Sequence, residues 1–222
     1  MPRIPVTLLL VSMLLLAPGA GAQSTGSAWT RDGLEPITVK GLDAAFAKPG
    51  ASLAQYDKVL LRPTTVAFRK DWERNMSTGS RFRVSSTDMQ RIRTRLAGRL
   101  QDAVKSELTA GGYTLVDAPG DDVLDVQMDI VNLYVPASNV DRGGNQPDVY
   151  AVSAGQASLI VQLNDSVTGD AIARAVQHYS AAERPWMTRI DNYENDVEAG
   201  KACAAWAKSL REALDRSRTI KP

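Results

Sequence analysis

From Val123 to Val135 the chain alternates. Leu124, Val126, Met128 and Ile130 are apolar, and Asp125, Gln127 and Asp129 stand between them. A period of two predicts a β-strand with one buried face and one wet face. The period changes over residues 86–112. Met89, Ile92, Leu96, Leu100, Val104 and Leu108 fall at three- and four-residue steps, which predicts one apolar stripe on a helix. Ser86 or Thr87 is the expected cap, and Gly111 and Gly112 the expected stop.

The remaining elements follow by the same reading. Lys58 to Phe68 is β-branched and apolar and predicts a strand, with Pro63 marking an edge or bulge. Tyr113 to Val116 predicts a short strand. Val149 to Asn164 predicts a longer one, with Ala157, Leu159, Val161 and Leu163 on one side, and Ala171 to Ser180 a last one. Arg69 to Ser86, Pro136 to Asp148 and Ala181 to Asn195 read as loops. A terminal helix is expected near Asp196 to Arg216, with Val197, Ala202 or Cys203, Trp206, Leu210 and Leu214 on its apolar face. Asp191, Glu194, Asp196 and Glu198 gather at its start, where the helix dipole favours anions.

The order is strand, helix, four strands, helix. A helix between the first two strands makes them parallel, and short turns make the later ones antiparallel. The expected fold is α+β: a two-layer sandwich with a mixed, mostly antiparallel sheet of about five strands and two helices packed on one face.

The amino terminus bears on location. Val6 to Ala17 is an apolar run of 12 residues behind a single cation, Arg3. A spanning helix needs about 20. Pro18 and Gly19 break the run, and Ala20 and Ala22 supply a small-residue cleavage pattern ahead of Gln23. Residues 1–22 are therefore expected to be an export signal cut at Ala22/Gln23. Residues 23–44 are expected to be a flexible leader, and residues 45–218 one α+β domain, soluble in the periplasm. Gln23 stands where a lipoprotein would carry its lipidated cysteine. The chain has 26 basic and 25 acidic residues, and removal of Arg3 leaves the charges balanced. No global polycation is present to bind nucleic acid. Cys203, the single cysteine, has no intrachain partner and reads as a buried thiol or one paired between molecules.

Candidate chemistry is sparse. One histidine, His178, and one cysteine do not supply the four ligands of a zinc site. The sequence has no nucleophile elbow and no glycine-rich phosphate loop. No catalytic residue, metal or cofactor is assigned. Carboxylates from Asp121 to Asp129 remain as an enzyme alternative acting on envelope polymers, and an enclosed apolar pocket would indicate a small-ligand binder. Charge is segregated along the chain. Arg62 to Lys105 holds 11 basic and 4 acidic residues, and Asp117 to Asp170 holds 1 basic and 9 acidic. Either the two segments neutralise each other in the fold, or the basic one meets an anionic membrane surface or an acidic partner. The favoured function is a non-catalytic module that binds an envelope protein through the sheet's open face or edge. Arg69, Trp72, Arg74 and Trp186 are its candidate docking residues.

Several short motifs occur in order: Pro49-Gly50, then Tyr56 leading into the first strand, then Trp72 in the next loop. Asp165, Ser166, Gly169 and Asp170 form a turn, and Trp206-Ala207 lies on the last helix. Over roughly residues 45–215 the chain resembles domain-of-unknown-function family 3313, small envelope proteins of Gram-negative bacteria, many of them lipoproteins. The lipidated cysteine of those members is absent. An acidic residue expected before the turn is replaced at Ala157 or Ser158, and a charged one on the last strand by Gln177. The resemblance implies an envelope location and no particular activity.

Overall fold

The computed structural model describes residues 32–77, 84–136, 149–151, 153–183, 185–190 and 192–219. The expected export signal, the first part of the leader and most of the Pro136–Asp148 loop lie outside the described residues. The elements in chain order are β1 (Glu35–Ile37), β2 (Ala44–Ala47), β3 (Lys58–Leu61), β4 (Thr65–Phe68), α1 (Trp72–Ser77) and α2 (Ser86–Ala110). Then come β5 (Thr114–Val116), β6 (Val123–Tyr134), β7 (Val149–Ala151), β8 (Gln156–Asp165), β9 (Ala171–Ser180), β10 (Thr188–Ile190) and α3 (Asn192–Thr219).

The fold is α+β with a mixed sheet. Its eight strands run β1-β2-β9-β8-β6-β3-β5, and β4 also pairs with β6; β10 and β7 form a separate two-stranded ribbon. β3 runs parallel to both β5 and β6, and β4 runs parallel to β6. β6, β8, β9, β2 and β1 pair antiparallel in turn.

The sheet is wider than the five strands expected. The strand over Lys58–Phe68 breaks around Pro63, which has no N–H to give a ladder, and its halves β3 and β4 pair with successive parts of β6. The strand over Val149–Asn164 divides into β7 and β8. Gly155 lies at that division, with φ +139. A Cβ there would sit 2.6 Å from the Tyr134 carbonyl oxygen. The described part of the expected leader is built into the sheet: β1 pairs with β2, and β2 with β9. Their short polar and alanine-rich sequences carry no alternation strong enough to announce strands. The loops after β4 and β9 also contain structure, namely α1 and β10.

The two long helices cover one sheet face. Leu96, Leu100, Val104 and Leu108 of α2 meet Ala202, Cys203, Trp206, Ala207, Leu210 and Leu214 of α3. Both stripes rest on Leu124, Val126, Met128 and Ile130 of β6 and on Ala157, Leu159, Val161 and Leu163 of β8. The expected alternation thus places the core. α2 starts one residue earlier than its expected cap allows. Ser85 is the N-cap: its Oγ accepts from the Asp88 N–H at 3.1 Å, and Asp88 accepts from the Ser85 N–H at 3.2 Å. α3 begins four residues before Asp196.

The motif residues of the Asp165–Asp170 turn tie the far end of the sheet together. Asp165 accepts the N–H groups of Val167 (3.0 Å) and Thr168 (2.8 Å), and the Tyr56 hydroxyl donates to it at 2.8 Å. Ser166 Oγ donates to the Gly120 carbonyl at 3.0 Å and accepts its N–H at 3.1 Å. The Arg218 guanidinium donates to the Tyr56 carbonyl at 2.6 Å and stacks 3.9 Å over the Tyr113 ring. The turn therefore locks two loops and the end of α3 to one hairpin.

The Thr168 N–H and then the Tyr56 hydroxyl hold the Asp165 carboxyl below its ordinary value. Burial and then Asp165 push the Tyr56 phenol up. The signs set a window. Asp165 contributes stability that is present above 3.8, its ordinary value, and is lost as pH falls through its lower folded value. Tyr56 contributes stability that is present below 10.0 and is lost as pH rises through its higher folded value. Tyr56→Phe is expected to lower stability by about 1 kcal/mol at neutral pH and to flatten the alkaline loss. Urea titrations of both proteins between acid and alkaline pH measure this; an unchanged alkaline limb refutes the coupling.

Candidate docking surface

The register of Tyr134 with Gln156, and of Gln156 with Ser180, sets the end of β6, the start of β8 and the end of β9 side by side. The β7–β10 ribbon extends from this end. The start of α3 meets the third and fourth turns of α2, because Arg95 and Arg99 of α2 pair with Asp196 of α3 at 3.4 and 3.1 Å. The expected docking residues map to this end, in different environments.

Trp72 is fully buried, with 0% of its surface exposed. It stacks on Phe68 with ring centroids 4.3 Å apart, and its Nε1 donates to the Val135 carbonyl at 2.8 Å. Val84, Met89, Ile92 and Tyr134 close a small second core around it. Trp72 therefore fastens α1 and the start of α2 to the sheet and presents no ring for docking. Its place in a polar stretch suggests a surface position, but that stretch folds over an apolar pit. Arg69 is half-buried with its guanidinium 4.5 Å over the Tyr134 ring, and Arg74 lies on the exposed side of α1 beside Asp71 at 3.2 Å. Trp186 is the one candidate whose ring faces solvent, 71% exposed.

Trp186 has apolar company. Met187 is 63% exposed, and Tyr193 at the start of α3 is 76% exposed. Val197 follows Tyr193 by four residues, on the same face of α3, and is also exposed. These four exposed side chains lie within twelve residues of one another in the sequence, and large apolar side chains in the open are candidate contact residues. Residue hydropathy alone separates Trp186 poorly from Trp72 and Trp206, since burial depends on what folds over each ring.

Much of the basic segment's charge is matched within the fold. Arg62 pairs with Asp125 at 2.8 Å, Arg91 with Asp88 at 3.3 Å, and Arg95 and Arg99 with Asp196. Arg93 lies 5.4 Å over the Phe68 ring. Of these pairs, Arg62 with Asp125 joins the basic segment to the acidic one; Arg91 is matched within its own segment, and Arg95 and Arg99 by Asp196 of α3. The depression along the first turns of α2, from Ser86 to Arg95, is open to solvent and is not the enclosed pocket expected of a small-ligand binder.

The carboxylates of β6 do not converge. Asp125 and Asp129 lie four residues apart on one extended strand, a separation of roughly 13 Å between their Cα atoms. Asp125 is held by Arg62, and Asp129 accepts from the Thr65 hydroxyl and from Gln127 Nε2 at 3.2 Å. Carboxylates spread on an open sheet lack the paired geometry of a glycosidase. Among the described residues no cluster of three His, Cys, Asp or Glu side chains is placed to hold a metal. His178 is exposed on β9, and its Nδ1 lies 3.2 Å from Ser158 Oγ. Cys203 is buried in the main core, and burial pushes its thiol up to about 11, which makes it a poor nucleophile.

Comparison with known proteins gives one family match. A family model described as "Protein of unknown function (DUF3313)" matches residues 23–210. No curated protein matches the sequence. Among solved structures, a PelC dodecamer from Paraburkholderia phytofirmans is similar at 12% identity and a TM-score of 0.35. That match covers 80% of this chain and 98% of that one. A minor lipoprotein from Acinetobacter baumannii matches at 14% identity and TM-score 0.37, over 73% and 95% of the two chains. A putative neuraminyllactose-binding hemagglutinin homolog from Helicobacter pylori matches at 11% identity and TM-score 0.42, over 84% and 98%.

The burial contrast between neighbouring candidates is testable by stability alone. Trp72→Ala is expected to cost about 3–5 kcal/mol, because it empties the small core and orphans the Val135 carbonyl. Arg74→Ala is expected to change stability by less than about 0.5 kcal/mol. Chemical denaturation of the two variants separates them; equal, small effects would place the Trp72 ring outside the core.

Proposed function

The chain belongs to the DUF3313 family, and on that premise we propose that it is an exported, non-catalytic module that binds a protein partner in the cell envelope. The end of the sandwich that carries Trp186 is the docking surface. Export is supported by the short apolar run from Val6 to Ala17, the Ala20-x-Ala22 site and the start of the family match at residue 23, directly after that site. Among the described residues no helix is long and apolar enough to cross a membrane. Cleavage at Ala22/Gln23 would release the chain into the periplasm.

The observation that carries the partner reading is the exposure of each of Trp186, Met187 and Tyr193. Tryptophan and tyrosine are the residues most often found at the energetic centre of protein interfaces, and methionine adapts to irregular surfaces. A protein partner is favoured over an anionic bilayer because the neighbouring arginines of α2 are already occupied by Asp88, Asp196 and the Phe68 ring. Arg74, on the exposed side of α1, and Arg69, over the Tyr134 ring, would lie towards the rim of such an interface.

Photo-crosslinking in whole cells tests the assignment. A benzophenone side chain at position 186 is expected to give discrete protein adducts. The same side chain at Val167, exposed in the hairpin turn at the opposite end of β8 and β9, is expected to give none. Adducts from both positions alike, or from neither, would remove the Trp186 end as the docking surface.

A further inference from the structure

Among the described residues the eight-stranded sheet ends at β1 on one side and at β5 on the other. An edge strand leaves N–H and C=O groups unpaired, which makes it a template for a strand from another molecule. Glu35, Pro36 and Ile37 of β1 are all exposed. Ile37 is a large apolar side chain with 46% of its surface open to solvent.

The register fixes which way each backbone group of β1 turns. Lys48 donates its N–H to the Ile172 carbonyl at 2.8 Å, in continuation of the pairing of β2 with β9. Backbone groups turn to alternate sides along a strand, so Ala44 and Phe46 also turn to β9, and Ala45 and Ala47 turn to β1. Ala45 lies opposite Ile37, and Ala47 opposite Glu35. Those two pairs exchange the bonds that hold β1 to β2. Pro36 stands between them and faces away from the sheet. β1 therefore offers the outside one carbonyl and no N–H, since proline has none. The other edge is short as well. Thr114 donates its N–H to the Asp57 carbonyl at 3.2 Å, so Thr114 and Val116 turn to β3, and Leu115 alone of β5 turns outward.

We propose that Pro36 closes the β1 edge against a second copy of this chain, so that the sheet cannot extend from one molecule into the next. Two copies paired about a two-fold axis at this edge set Pro36 opposite Pro36, with Glu35 of each opposite Ile37 of the other. The central pair then requires each residue 36 to donate to the other's carbonyl. Proline supplies neither bond and places ring carbons where the N–H belongs. Without that block the exposed Ile37 favours the pairing, because covering it removes apolar surface from water. The Trp186 end takes no part in this contact, so failure of either assignment leaves the other standing.

Sedimentation velocity over a range of concentrations, on the chain purified after the cell has processed it, tests the closure, with thermal melting as the check on folding. Pro36→Val restores the donor and suits a strand. The two new backbone bonds are expected to tighten self-association by about thirtyfold relative to the unsubstituted chain. Pro36→Ala restores the same donor without the branched side chain and is expected to act in the same direction. Adding Ile37→Glu to Pro36→Val sets like charges directly opposite each other, against Glu35 of the second copy, and is expected to undo the gain. Adding Ile37→Lys sets opposite charges there and is expected to deepen it. Self-association of both Pro36 variants equal to that of the unsubstituted chain overturns the proposal. Association that responds alike to the two Ile37 substitutions overturns it as well, since the contact then lies away from the β1 edge.

Discussion

Strand β6 sets the architecture because it is long, central and needs hydrogen-bonding partners along both edges. Its twelve residues cannot leave backbone N–H and C=O groups unpaired in a dry interior. β8 supplies one edge continuously from Leu124 to Val131. The other edge is supplied in two pieces, β3 against Val123–Val126 and β4 against Asp129–Leu133. Arg62-Pro63-Thr64 spans the interval between them, which is where a residue without an N–H is tolerated. β6 bends near its own end, at Asn132 with φ 55, and the registers with β4 and β8 shift there. Once β6 is paired on both sides, its period of two assigns Leu124, Val126, Met128 and Ile130 to one face, and the helices must follow them.

The helices are joined to each other by charge as well as by packing. α2 and α3 run in the same direction, with Arg95 and Arg99 facing Asp196 at one end and Glu107 facing Arg211 at 3.0 Å at the other. Pairs this exposed contribute little energy singly, about 0–1 kcal/mol each. Their effect is on register, since sliding one helix by a turn would break both ends at once. The same pairing takes up two of the eleven basic residues of the Arg62–Lys105 segment.

The parts of the fold legible in the sequence are those whose own residues carry a period. The stripes of α2 and α3 and the alternation of β6, β8 and β9 are readable because burial repeats within each element. β1, β2 and β10 are not, because each is only three or four residues long and is held by a neighbour rather than by its own pattern. The four-residue error at the start of α3 has a related cause: Tyr193 and Glu194 extend the helix without adding to its apolar stripe. The four candidate docking residues show a sharper limit. Trp72 and Trp186 both sit in polar stretches, yet one is wrapped by α2 and the ends of β4 and β6 while the other is left exposed. Wrapping is a tertiary property, and a window of neighbours does not contain it.

The two candidate surfaces differ in what already occupies them. The open sheet face is polar at its margins, and its charges are matched internally: Arg62 with Asp125, Arg174 with Asp32 and Gln162. An external ligand there would have to displace satisfied pairs, and desolvating them costs more than forming new ones returns. The Trp186 end is the reverse. Its exposed groups are aromatic rings and a thioether, so covering them releases water without breaking an ion pair. That asymmetry favours the Trp186 end over the open face as the proposed docking surface.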